Sequence, residues 1–307
     1  MGKASRTKVE STRREKIAAQ RAAERRAEQR RRILLASGAV VVVLAIVLTF
    51  VIVKLNSKSP SGPSSASNGP TGSALTAVID QTTSVPTSTT DAVGKGGFAG
   101  QIQTITGNPT PLTSGGKPEM VYMGAEYCPY CGATRWAMIV ALSRFGTFSG
   151  LHTVHSSSTD IYPNTPSWSF YKSTYTSNYL TFTPVELQSN IPDPSNNPPY
   201  TNLQTPTAAQ QALLAKYDTA PYTSQAGAVP FVDFGNKYLM IGTPFLPSVL
   251  AGLSWATIAN DLHNPNSAVA QAVDGTANYF TAAICKMTGN QPASACTSTV
   301  QSLESQI

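Results

Sequence analysis

The sequence predicts an α/β domain held outside a membrane by a single N-terminal anchor. Three observations carry that expectation. An uncharged stretch, ILLASGAVVVVLAIVLTFVIV from Ile33 to Val53, directly follows a basic run. Beyond it, short apolar runs bounded by Gly and Pro alternate with segments of helical period. At one change of period two cysteines stand two residues apart, in VYMGAEYCPYCGATRW, Val121 to Trp136.

The N-terminal third is set by charge. The chain has 307 residues, 41% hydrophobic and 12% charged, with a net charge of +6. Residues 1–32 hold 12 Lys/Arg and 4 Asp/Glu, a local charge of +8, which leaves 10 Lys/Arg and 12 Asp/Glu, or −2, for the other 275 residues. A basic tail is therefore joined to a near-neutral body, and nucleic-acid binding is not expected of that body. As a helix, the 21 residues of 33–53 would span roughly 31 Å, one bilayer core. The apolar run is long for a signal peptide, and no A-x-A-like site follows it. The Lys/Arg excess on the N-terminal flank predicts a cytoplasmic N-terminus, with residues 54–307 outside. The Ala/Glu/Arg-rich run before the span reads as a juxtamembrane helix touching anionic membrane lipid. Residues 54–92 are rich in Ser, Thr, Pro and Gly and read as a flexible stalk.

The domain proper is expected over 93–307. EMVYMGA, Glu119–Ala125, reads as a buried strand, and Pro129 suits the first turn of a helix running to about Phe145. LHTVHS, Leu151–Ser156, is a second candidate strand. Residues 160–205, rich in Tyr, Ser, Asn and Pro, resist assignment. Thr207–Thr219 reads as a helix capped by Thr207. VPFVDF, GNK and YLMIG read as a hairpin over 229–242. Pro247–His263 reads as a helix, and two short helices are expected around 266–273 and 275–287.

The four cysteines, Cys128, Cys131, Cys285 and Cys296, all lie in the outward part, where disulfides persist. Gly132 after Cys131 excludes the haem-attachment pattern. Zinc wants four ligands, usually from a second close pair, and Cys285 and Cys296 are too far apart in sequence. No metal site and no cofactor is expected. At a strand-to-helix junction, free backbone N–H groups and the helix dipole favour a thiolate at Cys128, with Cys131 one turn on as the resolving thiol. Glu126, two residues before Cys128, is either a proton acceptor or an exposed loop carboxylate.

Strand, C-x-x-C, helix and later Val229-Pro230 before a hairpin together resemble the thioredoxin superfamily. That resemblance implies a thioredoxin-like fold, with a cis Pro230 beside the cysteines and the backbone of Val229 pairing with the substrate chain. The intervening dipeptide, Pro129-Tyr130, makes CPYC, which occurs in glutaredoxins and in some extracytoplasmic disulfide enzymes. The sequence departs from the superfamily at Tyr122, where a buried acid is usual. The 99 positions from Cys131 to Pro230 imply a helical insertion, about 157–225, as in periplasmic-type disulfide oxidases. The blocks GAEYCPYCGATRWAMIVALSRFGTFSGL, SFYKSTYTSNYLTF, VPFVDFGNKY and AICKMTGNQPASAC also resemble a family of membrane-anchored prokaryotic proteins, the domain-of-unknown-function family nine-two-nine, over roughly 93–307.

Cys285 and Cys296 read as a structural disulfide, with a second redox pair as the alternative. His152 and His155 read as packing or surface residues. Trp136 reads as core, and Trp168, Phe170, Tyr171, Tyr175, Tyr179 and Phe182 as the core of the insertion. The function expected is a membrane-anchored extracytoplasmic thiol–disulfide oxidoreductase acting on protein thiols or disulfides. The oxidase direction is favoured, since neither a second span nor an acidic proton relay is visible. A membrane redox partner, a quinone-linked oxidase or an electron donor, would recycle it. The alternative is a non-catalytic binding or assembly module with structural disulfides.

Overall fold

The computed structural model describes residues 69–307. The basic tail, the expected membrane span at 33–53 and residues 54–68 of the expected stalk lie outside them. Among the described residues no helix is long and apolar enough to cross a membrane.

The chain opens with helices α1 (Gly72–Thr83) and α2 (Thr87–Val93), then short strands β1 (Gln103–Thr104) and β2 (Thr113–Ser114) and the long β3 (Lys117–Gly124). Helix α3 (Pro129–Leu142) follows, then β4 (Gly146–Ser149), β5 (His152–His155), β6 (Pro166–Ser169), β7 (Thr174–Ser177), β8 (Thr181–Glu186), β9 (Gln188–Pro192) and β10 (Tyr200–Asn202). Helix α4 (Ala208–Tyr217), strands β11 (Phe231–Phe234) and β12 (Tyr238–Ile241), a 3-10 turn (Pro247–Leu250) and helices α5 (Trp255–Asp261), α6 (Ala268–Thr288) and α7 (Ser298–Leu303) complete it.

Strand β3 organises the main sheet. It pairs antiparallel with β11, parallel with β8 and, at its start, antiparallel with β2; β12 and then β1 extend the sheet beyond β11. Residues Met120–Gly124 are all buried, because both faces of the sheet are covered. The two-residue period sorts them. Met120 and Tyr122 face the larger core with Val232, Phe234 and Met240, under α3 and α6. Val121 and Met123 face the smaller one with Val185, Phe231 and Leu239, covered by Leu213, Leu214 and Tyr217 of α4.

The expected thioredoxin-like fold with a helical insertion does not stand. The described residues form a mixed α/β structure with one six-stranded sheet and three two-stranded sheets, β4–β7, β5–β6 and β9–β10. Within 157–225, strands β6 to β10 occupy what was expected to be helical, and α4 is the single helix there. The reason is composition: Thr, Tyr, Ser, Phe and Val alternate through TYTS and TFTPVE, and such residues suit a pleated, half-buried surface. The aromatic cluster is likewise no separate core. Trp168, Phe170 and Phe182 are buried in the main core, Trp168 edge-on to Trp136, with Tyr175 and Tyr179 packed against it.

The stalk expectation also fails beyond residue 71. Helices α1 and α2 bury Val78, Thr82, Thr90 and Val93, and Asn278 of α6 donates to the carbonyls of Thr90 and Gly94. One 21-residue helix, α6, replaces the two short helices expected there. Gly275 sits mid-helix, where a Cβ would come within 2.7 Å of the Lys95 carbonyl oxygen. It marks a close approach of two backbones. Conversely, the helix expected over 247–263 is a 3-10 turn and the short α5, separated by residues 251–254, the last of which, Ser254, caps α5 by accepting from Thr257 N–H.

Candidate functional site

Strand β3 ends at Gly124, and the next four residues turn the chain into α3. The turn is fixed by backbone bonds: Leu187 N–H donates to Gly124 O, Glu126 N–H to Gln188 O, and Ser157 N–H to Tyr127 O. Cys128 takes the N-cap position with extended backbone (φ −80°, ψ 120°), and Pro129 follows in the first turn. The Cys128 Sγ accepts a hydrogen bond from Cys131 N–H at 3.3 Å, so a sulfur does what a Ser or Asp oxygen does in an ordinary cap. Its thiol also lies 4.0 Å from the Val229 carbonyl oxygen, to which it can donate. The Val229–Pro230 peptide bond is cis. The structure thus brings Cys128, Pro129, Cys131 and Val229 to one place.

Both cysteines are free, and their environments differ in kind. Cys131 is fully buried and Cys128 is 5% exposed. The thiol–thiol hydrogen bond to Cys131 lowers the Cys128 pKa most; burial opposes this, and the Cys131 N–H and the Arg135 charge add to it. Burial pushes the Cys131 thiol well up, and the hydrogen bond and charge of Cys128 push it further. Of the two thiols, Cys128 is therefore the more acidic and the first to lose its proton.

Beneath the pair lies a buried ion pair that the sequence did not reveal. Arg135 Nε and Nη2 donate to Glu186 Oε1 and Oε2 at 2.8 and 2.6 Å, with both side chains fully buried. Its Nη1 donates to Ser167 Oγ at 3.2 Å, and Phe170 N–H donates to Glu186 Oε1 at 3.1 Å. Arg135 falls one turn after Cys131 on α3, a spacing readable in sequence. Glu186, 51 positions away at the end of β8, has no local signal. Gly132 allows α3 to sit close on β6, since a Cβ there would lie 3.1 Å from Ser167 Cβ and Oγ.

Glu126 is not an exposed loop carboxylate. It is 6% exposed, accepts from Ser169 Oγ at 2.5 Å, and has His152 Nε2 at 3.9 Å. Burial raises its pKa, against the Ser169 hydrogen bond. Tyr127 and Tyr130 flank Cys128. Tyr127 stacks on Tyr200 at 4.2 Å between ring centres, and Tyr130 meets Tyr162 edge-on at 5.8 Å. His155 is apart from this, its ring against Trp255. Among the described residues no group of three or more His, Cys, Asp or Glu is placed to hold a metal ion.

Cys285 and Cys296 are disulfide-bonded, with Cα atoms 5.8 Å apart. Both are buried, at 0% and 2% exposure. The bond fastens the last turn of α6 to the segment leading into α7.

A family model described as Domain of unknown function (DUF929) matches residues 103–286, more than half of the chain and the whole cysteine site. No curated protein and no solved structure matches the chain.

Proposed function

The chain belongs to the family of that domain of unknown function, and we propose that its cysteine site makes it a thiol–disulfide oxidoreductase acting on protein thiols, anchored at the extracytoplasmic face of a membrane. The observation that carries this reading is the inequality of the two sulfurs. Cys128 caps a helix beside a backbone carbonyl, with its acidity raised, while Cys131 is fully buried, with its acidity lowered, and its N–H donates to the Cys128 sulfur. That is the division of labour thiol–disulfide exchange needs: an acidic outer sulfur to be attacked or to attack, and an inner one to leave or resolve. The likeness to the thioredoxin superfamily enters here as site chemistry and not as fold. The Val229 carbonyl beside Cys128 offers a backbone acceptor to an extended substrate segment. The uncharged 33–53 stretch and its basic flank support the anchoring, and a quinone-linked membrane oxidase would restore the disulfide after each turnover.

A second reading has one observation in its favour. Cys128 is only 5% exposed, as in a non-catalytic module where the pair is a staple. The reduction potential separates the two. The full-length chain is equilibrated with glutathione buffers, and the Cys128 pKa is read from thiolate absorbance. A potential toward the oxidising end of the exchange-enzyme range, about −120 to −200 mV, with an acidic Cys128, is expected. A potential below about −300 mV with an ordinary thiol pKa would mean a staple. Cys128→Ser is expected to abolish exchange, and Cys131→Ser to trap a mixed disulfide with substrate.

A further inference from the structure

Tyr122 Oη is buried and has no hydrogen-bond partner. Such an orphan hydroxyl costs about 1–3 kcal/mol, so its position asks for a cause. Its surroundings are specific. A Cβ on Gly124 would lie 2.1 Å from Tyr122 Oη and 3.2 Å from Cys131 Sγ. The hydroxyl therefore fills the space a side chain at 124 would take, and the inner sulfur borders the same space. The ring meets Phe170 edge-on at 5.4 Å and lies 5.8 Å under the Arg135 guanidinium. Cys131 itself has no route to water, being fully buried.

We propose that Tyr122 is a positioning residue for the disulfide step, its hydroxyl reserved as a hydrogen-bond donor to the Cys131 sulfur when that sulfur leaves as a thiolate. This rests on the exchange reading and sharpens it toward the oxidase direction. A substrate thiolate attacks Cys128 Sγ, and a new S–S bond forms there. The Cys128–Cys131 bond breaks, and its electron pair goes to Cys131 Sγ in a place water cannot reach. A donor waiting there stabilises that charge, as preorganised donors do for developing oxyanions. The second substrate thiol then attacks the mixed disulfide and releases Cys128 as thiolate, and the proton it gives up ends on Cys131. The two substrate thiols are oxidised to a disulfide and the enzyme disulfide is reduced. Burial holds the Tyr122 phenol well above its ordinary pKa, so it stays an O–H throughout and serves as donor, not as base.

The test is the rate constant for reduction of the oxidised full-length chain by dithiothreitol, with a thermal unfolding midpoint for each protein. Tyr122→Phe is expected to slow reduction roughly tenfold to a hundredfold, the loss of one hydrogen bond to a charged group. Its reduced form should be no less stable than the parent, because an orphan hydroxyl has been removed. 3-Fluorotyrosine placed at 122 keeps the shape and makes a stronger donor, so reduction should be at least as fast as in the parent; this arm also serves if the Phe variant does not fold. An unchanged rate in Tyr122→Phe, or a slower one in the fluorotyrosine protein, overturns the inference. A parent disulfide that dithiothreitol cannot reduce overturns the exchange reading itself.

Discussion

Arg135 shows how much one side chain settles at this site. It is fully buried, holds Glu186 through two bonds, and its charge lowers the Cys128 pKa. Removing one member of a buried ion pair leaves the other unpaired, at a cost of about 3–5 kcal/mol. Arg135→Met should therefore lose stability of that order in urea unfolding, and the Cys128 thiolate should titrate at higher pH. The double variant Arg135→Met/Glu186→Leu should recover most of the stability, while the thiolate pKa stays high. Recovery of both together would show that the charge does not act on the sulfur. The cysteines were legible because C-x-x-C at a change of period is a local pattern. Glu126 was only half legible: its proximity to Cys128 was plain, but its burial depends on Ser169 and His152 from other strands.

At the scale of elements, local signals held where they described a helix cap or a hairpin turn and failed where a neighbour decided. Thr207 caps α4 as expected, in a full capping box with Gln210. The hairpin β11–β12 forms where Gly235 and Asn236, both at positive φ, turn the chain. Helices α1 and α2 could not be read from a Ser/Thr/Pro-rich run, since their order comes from docking on α5, α3 and α6. The Cys285–Cys296 bond closes a loop with a sequence separation of 11, for which loop entropy gives about 3 kcal/mol. Cys285→Ser/Cys296→Ser should lower the unfolding free energy by about that much and leave the reduction of the Cys128–Cys131 pair unchanged. A shifted potential for that pair would instead make the second disulfide part of the relay.

Among the buried carboxylic acids whose ionisation the fold opposes, Asp233 and Asp274 are the ones shifted furthest. Burial raises Asp233 to about 7 and Asp274 to about 8. Asp233 accepts from Asn236 N–H, and its other oxygen has no partner. Neither oxygen of Asp274 has one, although Arg144 is close enough to favour its charged form. The unfolded chain releases these protons near pH 4. Between there and about pH 7 or 8 the native state holds protons that the unfolded state has lost. Stability therefore falls as pH rises through that window and levels off above it. Asp274→Asn should flatten the decline between about pH 4 and 8 by an amount on the order of a few kcal/mol, read from urea unfolding at stepped pH. An equal decline in parent and variant would place the titration elsewhere.

The sequence by itself determined the cysteine site and its surroundings in the chain. A strand of five consecutive buried residues, a helix opened by Pro129, two thiols one turn apart and a hairpin after Val229-Pro230 are all short-range patterns, set by periodicity and backbone chemistry. The basic run and the uncharged stretch that follows it are equally local. Tertiary structure alone decided the rest. The pairing of the strands within 157–225, with β8 parallel to β3 and the others in two-stranded sheets, follows from packing. The Arg135–Glu186 pair and the orphan hydroxyl of Tyr122 against Gly124 come from residues that meet only when β3, α3 and β8 pack. Spacing in sequence encodes a turn of helix or the face of a strand; it does not encode which side chain, fifty residues on, will close the space around a sulfur.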